Sequence, residues 1–427
     1  MTKKKHKRPW GVFLAIVLAV LFGTWVGPTG SKWGIPFLSI FDTLSKVFLN
    51  ALTLVVVPLV SSSIISGIAR IGGEEEFGRI GAKTFCFYIG TSLLAIFIGL
   101  FFVNVINPGG GQMIVSGTPQ VEMLENRMSG HQGQAVADIL HQIVPSNIVN
   151  AFANGQMLGI IFFCILFGYA VSKITPGPSA MLQGFFQGIF QAMLRITHII
   201  MKFLPYGVFC LIAKVFITTG FNSLASVSLF MLTVILGLLV YTCIALPLLL
   251  KFVARVKPFR HFRAMSPALV TAFSTSSSSA SLPVTINCVE KRAGVSNRIC
   301  SLVVPLGTSV NMSGSALYEC VAAMFVAQAY GIHMSILSQF LVVALSLVTS
   351  IGVAGIPSAS IIAIMIILKT IGLPLEGIGL FLAVDRLLDM CRTTVNVFSD
   401  SCCAVLVAKS EGEKDVLMQP SSEMPDV

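Results

Sequence analysis

A chain of 427 residues that is 55% hydrophobic and 11% charged is not composed like a soluble globular protein, in which about 25% of residues are charged. Its net charge of +10 comes from Lys and Arg grouped between apolar runs, not from one basic face, which argues against a nucleic-acid partner. Runs such as Trp10–Val26, Phe85–Val105 and Val227–Leu250 are each long enough to span a bilayer, and several of them cannot share one soluble core.

The basic segment Lys3 to Arg8 precedes an apolar run too long for a signal peptide and without a small-residue cleavage site, so residues 1–9 read as a cytoplasmic N-terminus before a retained first span. From there the basic stretches fall on one side. The first span covers about 10–28, and the second, about 43–69, returns to Arg70, Arg79 and Lys83. The third covers 84–106. Residues 107–145 then carry Glu122, Glu125 and Asp138 against a single Arg127, as suits an external loop. A fourth span near 146–172 returns to Lys173, and a long fifth, 181–218, holds Arg195, His198, Lys202 and Pro205. The sixth, 225–250, returns to the cluster Lys251, Arg255, Lys257, Arg260 and Arg263. Six spans in succession obey the positive-inside rule.

The second half breaks this pattern. Residues 264–290 are too short for two crossings, which need about 40 residues, and basic residues flank both ends (Arg263; Lys291, Arg292, Arg298). They read as a re-entrant helical hairpin with Ser274 to Ser281 at its tip. Span seven, 299–330, is interrupted by small and polar residues between Gly307 and Gly314. Residues 336–370 repeat the hairpin, without basic flanks, around Gly352 to Ser360, and the eighth span, 377–408, ends at Lys409 before a cytoplasmic tail, 409–427. The expected fold is an all-α membrane protein of eight transmembrane helices and two oppositely oriented re-entrant hairpins, arranged as inverted repeats with a binding site at the midplane.

The last span carries the chemistry. Asp385, Asp389, Thr393, Asn396 and Asp400 follow one another at spacings of 4, 4, 3 and 4, which is one face of a helix; Arg386 and Arg392 sit beside them, and Leu387, Val395 and Val405 face away to lipid or apolar protein. A charge at the bilayer centre costs about 2.5–3.5 kcal/mol, so the stripe needs a partner. One reading is internal salt bridging, with Arg386 and Asp389 three apart. The other is a bound solute: a guanidinium grips a carboxylate, and a buried carboxylate suits an ammonium. The interrupted seventh span offers loosened carbonyls as hard oxygen ligands for Na⁺, with Asn311, Asn396 and Asp400 nearby in kind; a packing seam of small residues between helices is the alternative. The Ser276–Ser279 run has no neighbouring base for nucleophilic catalysis and fits a tip whose NH groups face an anion or a flexible polar loop. No catalytic residues are expected. The ten cysteines, without a CxxC pair, read as small apolar residues.

In combination these segments resemble the glutamate transporter family, the sodium:dicarboxylate symporters that include archaeal aspartate transporters. The resemblance rests on Ser276–Ser279 before Leu282-Pro283-Val284-Thr285, the Asn311-Met312-x-Gly314 break, Gly355-Ile356-Pro357, Asp389 through Asn396, and Ala153-Asn154-Gly155-Gln156. It implies a sodium-coupled symporter importing acidic amino acids across the inner (plasma) membrane, as a homotrimer with no organic cofactor. Scaffold helices at 10–83 and 146–220 would hold a moving transport domain, 84–106 and 225–408, in an elevator-type cycle. Arg392 would hold the substrate side-chain carboxylate and Asp389 its amino group, with Ser277, Ser278, Met312, Ser315, Gly355, Thr393 and Asn396 completing the site. One sodium site would use Gly307, Asn311, Asn396 and Asp400; a second, carbonyls at Ser309, Ser350, Ile351 and Val353. At a third, formed by Tyr88, Thr91, Ser92 and Asn311, the family's Asp is Ser313 here, which implies a weakened site and fewer than three Na⁺ per cycle. The archaeal tip Arg is Ser276, with Arg386 in compensation. A proton- or sodium-coupled C4-dicarboxylate symporter, a cystine carrier, an anion channel and an intramembrane hydrolase are the competing functions; Asp389 and Asp400 favour an amino acid and sodium.

Overall fold

The computed structural model describes residues 10–27, 30–31, 35–71, 75–110, 144–219, 222–352, 360–414 and 416–417. These are helical almost throughout, with no β-strand among them. The first part comprises α1 (Trp10–Val26), α2 (Phe37–Ile71), α3 (Glu75–Ile106), α4 (Ile148–Asn154), α5 (Met157–Lys173), α6 (Pro176–Ile200) and α7 (Leu204–Thr219). Then come α8 (Asn222–Val240), a π-helical turn Tyr241–Ala245 and α9 (Leu246–Phe252). The last part comprises α10 (Pro258–Thr275), α11 (Ser278–Asn287), α12 (Asn297–Val310), α13 (Ser313–Ala329), α14 (Ile336–Gly352), α15 (Ser360–Ile371) and α16 (Ile378–Ser410). Stretches of α2, α3, α8–α9 and α12–α13 are long and apolar enough to cross a membrane.

Two expected spans are divided. The fourth breaks into α4 and α5 at Gly155, whose φ of 63° ends α4 in the left-handed conformation that glycine adopts without penalty. The fifth breaks at Met201–Phe203, a 3-10 turn before α7. Pro205 is the second residue of α7; lacking an N–H and clashing with the preceding turn, it cannot continue α6.

The two segments expected as re-entrant hairpins each hold a pair of packed helices, α10 with α11 and α14 with α15. At the first tip Ser276 closes α10 with φ 49°, and Ser277 opens α11 by accepting the Ala280 N–H on its hydroxyl at 3.2 Å. Pro267 inside α10 leaves the carbonyl four residues back without its amide donor; the Ser266 hydroxyl donates to that Arg263 oxygen at 3.0 Å. The second tip lies outside the described residues, and with it the site residues Val353 and Gly355.

The last helix, α16, is the axle of the second half. It packs against α8, α10, α12 and α13, and its residues from Val395 to Ala408 are buried without interruption. Val395 and Val405, expected on its outer side, therefore meet protein, and only Leu387, 47% exposed, is available to lipid. The main hydrophobic core surrounds α13 and α16. A smaller one joins α2, α4 and α5 to Ile362 and Ile366 of α15.

Candidate functional site

The site is built where the interrupted helix α12–α13 faces α16. Asn311 and Met312 leave helical geometry (ψ 69° and 50°), so α13 begins afresh at Ser313 with amides that have no partner in their own helix. Asn396 of α16 supplies one: its Oδ1 accepts from the N–H groups of Gly314 at 2.8 Å and Ser315 at 3.3 Å. Its Nδ2 donates to the Ser315 hydroxyl at 3.1 Å and to the Met312 sulfur at 3.3 Å. One side chain thus caps a helix across the interface, and three of the sequence-derived site residues, Met312, Ser315 and Asn396, meet at it.

On one side of Asn396 lies the charged cluster. Arg392 is fully buried. Its Nη2 donates to Asp389 at 2.9 Å and to Asp385 at 3.1 Å, while its guanidinium carbon stands 3.8 Å from the centroid of the Tyr318 ring, close enough for a cation–π contact. The Tyr318 hydroxyl donates to the same Asp385 oxygen at 2.9 Å. Arg386, one-third exposed, reaches Asp389 at 3.5 Å. The pairing expected from the three-residue spacing is therefore the looser one; Arg392, seven residues and two turns from Asp385, holds the tighter contacts. Arg392 still has two buried nitrogens, Nε and Nη1, without a partner among the described residues. A buried donor left without a partner costs about 1–3 kcal/mol, so these two nitrogens are open to an acceptor. Thr393, in the same helix, is buried beside them. Ser278 is buried in the first turn of α11, which packs on α16, and Ser277 precedes it.

On the other side lies an oxygen-rich cluster with no basic residue among the described ones. Asp400 accepts from Asn311 Nδ2 at 2.9 Å, and the same amide donates to Ser399 at 3.1 Å. A Cβ at Gly307 would lie 2.5 Å from Asp400 Oδ1: only glycine lets the carboxylate approach the α12 backbone this closely. Thr91 and Ser92 of α3 both direct hydroxyls to Asn311 Oδ1 at 3.4 Å. Tyr88 instead donates to the Val303 carbonyl at 2.6 Å. Ser313 is buried and its hydroxyl has no partner among the described residues. Carboxylate, amide and hydroxyl oxygens suit a hard monovalent or divalent cation. Ser309 is half-buried near the end of α12; Ser350 and Ile351 lie in the last turn of α14, where helix carbonyls have no amide partners.

Sequence reasoning missed Glu319. It lies in the middle of α13, fully buried, accepting from the Thr349 hydroxyl at 2.9 Å, with its other oxygen unpartnered among the described residues. The signal was available: it is the only charge between Ser313 and Ala329. Tyr318, next to it in sequence, was missed because an aromatic in an apolar run reads as core.

Comparisons with known proteins agree with one another. The sequence model of the sodium:dicarboxylate symporter family matches residues 9–410. The chain is 33% identical to the proton/glutamate-aspartate symporter of Escherichia coli (strain K12) over 418 residues, covering 97% of this chain and 95% of that protein. It is 34% identical to the proton/sodium-glutamate symport protein of Bacillus caldotenax, over 95% of this chain and 94% of the relative. It is 31% identical to excitatory amino acid transporter 3 of Oryctolagus cuniculus, over 99% of this chain and 90% of the relative.

Proposed function

The chain belongs to the sodium:dicarboxylate symporter family, and from that premise we propose that it is a membrane transporter, not an enzyme, that carries acidic amino acids with coupling cations. Glutamate and aspartate are the substrates named for its relatives. The observation that carries the reading in this chain is Arg392: a guanidinium fully buried between two carboxylates and an aromatic face, with two donors left over. Those donors take the substrate side-chain carboxylate, and Asp389 takes its amino group. Thr393, Ser277, Ser278 and the Gly355 backbone close the site around it.

Na⁺ is the coupling ion of this reading. Gly307, Asn311 and Asp400 hold one ion, with Asn396 beside them; the carbonyls of Ser309, Ser350, Ile351 and Val353 hold another. Ser313 places no carboxylate beside Tyr88, Thr91, Ser92 and Asn311, so a third ion is held weakly and the cycle carries fewer than three. The wider arrangement proposed is a homotrimer with cytoplasmic termini, in which scaffold segments 10–83 and 146–220 guide an elevator motion of the rest. A second reading, coupling to protons, is favoured by Glu319: a buried carboxyl with one open oxygen, hydrogen-bonded to Thr349, is a place where a proton is held and released.

Uptake of labelled aspartate, glutamate and succinate into vesicles, under a sodium gradient, a pH gradient or neither, separates the two. Sodium-driven uptake of the amino acids with little succinate is the expected result; uptake indifferent to both gradients refutes symport. The role of Arg392 is tested with Arg392→Lys. Sequence alone leads one to expect that Arg392→Ala spares the fold, but Arg392 is the principal partner of Asp385 and Asp389, and breaking a buried ion pair costs about 3–5 kcal/mol. Lysine keeps the charge and loses the planar donor array. Wild-type affinity for acidic substrate in that variant would refute the assignment.

A further inference from the structure

We propose that the turn joining α9 to α10 is a docking surface for anionic phospholipid headgroups. Residues 251–263 include Lys251, Arg255, Lys257 and Arg263 and no Asp or Glu. All four are exposed. Arg260, in the same stretch, donates to the carbonyl of Leu417 at 3.1 Å and is not counted.

Basic loops alone orient a membrane protein and need no ligand. The apolar side chains here ask for more. Phe252 is 68% exposed and Phe259 80%, a cost in water that disappears at the boundary of headgroups and acyl chains. Between them Ala254 is buried and Val256 packs against the core, while Val253, Arg255 and Lys257 point outward. The Val256 N–H returns to the Leu250 carbonyl at 3.1 Å, and the Val253 N–H to Leu249 at 2.9 Å. Arg255 holds the bend at φ 56°, a conformation unusual for a residue with a side chain. The turn is therefore anchored by alternate residues and presents cations and aromatic rings from one fixed frame. Clustered cations attract acidic headgroups, and the rings enter the layer beneath. A soluble phosphate would use the cations and leave the rings in water, so the lipid is the occupant that uses both.

Native mass spectrometry of the purified, delipidated full chain, offered phosphatidylglycerol or phosphatidylcholine with the same acyl chains, tests the proposal. Each basic residue near an anionic headgroup contributes about a fivefold preference, so the wild type should retain phosphatidylglycerol at least about fivefold better. Lys251→Gln/Arg255→Gln/Lys257→Gln/Arg263→Gln should abolish that preference, and Lys251→Arg/Lys257→Arg should keep it. Phe252→Ala/Phe259→Ala should weaken retention of both lipids. Equal retention of the two lipids by the wild type overturns the proposal, as does an undiminished preference in the fourfold variant. Displacement of the lipid by glycerol phosphate at equal concentration also overturns it. Should the fourfold variant not fold, Lys257→Gln and Arg263→Gln are read singly; a preference unchanged in both has the same force.

Discussion

Tyr318 lies face-on to Arg392, 3.8 Å from ring centroid to guanidinium carbon, and its hydroxyl bonds the Asp385 carboxylate that Arg392 also holds. The two residues come from different helices, α13 and α16, and the contact seats the guanidinium between a π face and two acids. A desolvated cation–π contact contributes about 2 kcal/mol, while a neutral hydroxyl's bond to a charged partner contributes about 1.5–3 kcal/mol. Neither dominates, so the tyrosine acts through both its face and its edge.

Tyr318→Phe keeps the ring over Arg392 and removes only the edge contact. Asp385 retains Arg392, so substrate affinity should fall by about tenfold or less. Tyr318→Leu removes both contacts and should fall further, by about 100-fold. Isothermal titration with aspartate on the purified protein reads the order. Equal losses in the two variants would show that the ring contributes nothing to holding Arg392.

Asn396 is a cap supplied from a neighbouring helix, and its loss should be felt in α13. Asn396→Ala removes the acceptor of two buried amides, Gly314 and Ser315, and should destabilise by about 1–2 kcal/mol. Asn396→Asp retains the acceptor and should recover part of that loss. Thermal unfolding in detergent, with and without sodium and substrate, provides the measurement. A larger loss in the Asp variant than in Ala would mean that charge, not capping, decides the position.

The sequence made some of this geometry legible. The spacing of Asp385, Asp389, Thr393, Asn396 and Asp400 placed all five on one buried face, because helix periodicity is a local property that burial then selects. The break between Gly307 and Gly314 and the serine tip at Ser276–Ser277 were visible for the same reason: small residues and caps act within a few residues of themselves. The partners of Arg392 were not. Spacing favours neighbours three or four apart, so it named Arg386 with Asp389, whereas the tighter contacts depend on which side chain turns inward, and α13 decides that through Tyr318. The divisions at Gly155 and Pro205 were missed because apolar composition continues across them, although each carries a residue that ends helices. Glu319 was passed over because a single carboxyl in an apolar run has no periodicity.

Gly307 is where sodium coupling should be most sensitive to one carbon atom. A methyl group there would stand 2.5 Å from Asp400 Oδ1, closer than any real contact, so either the carboxylate or α12 must move. Gly307→Ala should lower the apparent affinity for sodium by about tenfold or more, as a hard-oxygen site loses its geometry, while alanine itself favours the helix. Sodium titrations of aspartate binding, at saturating and limiting substrate, separate this from a direct loss of substrate affinity. A sodium dependence identical to wild type would remove Gly307 and Asp400 from the ion site.

At the far end of α16 a different kind of contact responds to pH. Glu411 bonds Lys83 at 2.5 Å and Arg79 at 2.6 Å, tying the end of α16 to the start of α3. The hydrogen bond from Lys83, with Arg79 beside it, holds the carboxyl below its ordinary value of 4.5. A depressed acid stabilises the fold above its unfolded value and loses that contribution as pH falls through the folded one. Glu411→Gln should therefore be less stable than wild type near neutral pH and equal to it once the pH is well below 4.5. Because Arg79 is largely exposed, screening limits the difference to about 1 kcal/mol or less, and added salt should shrink it. Unfolding midpoints of both proteins across that pH range check the sign: a gap that widens on acidification would show that the bridge does not stabilise the charged form.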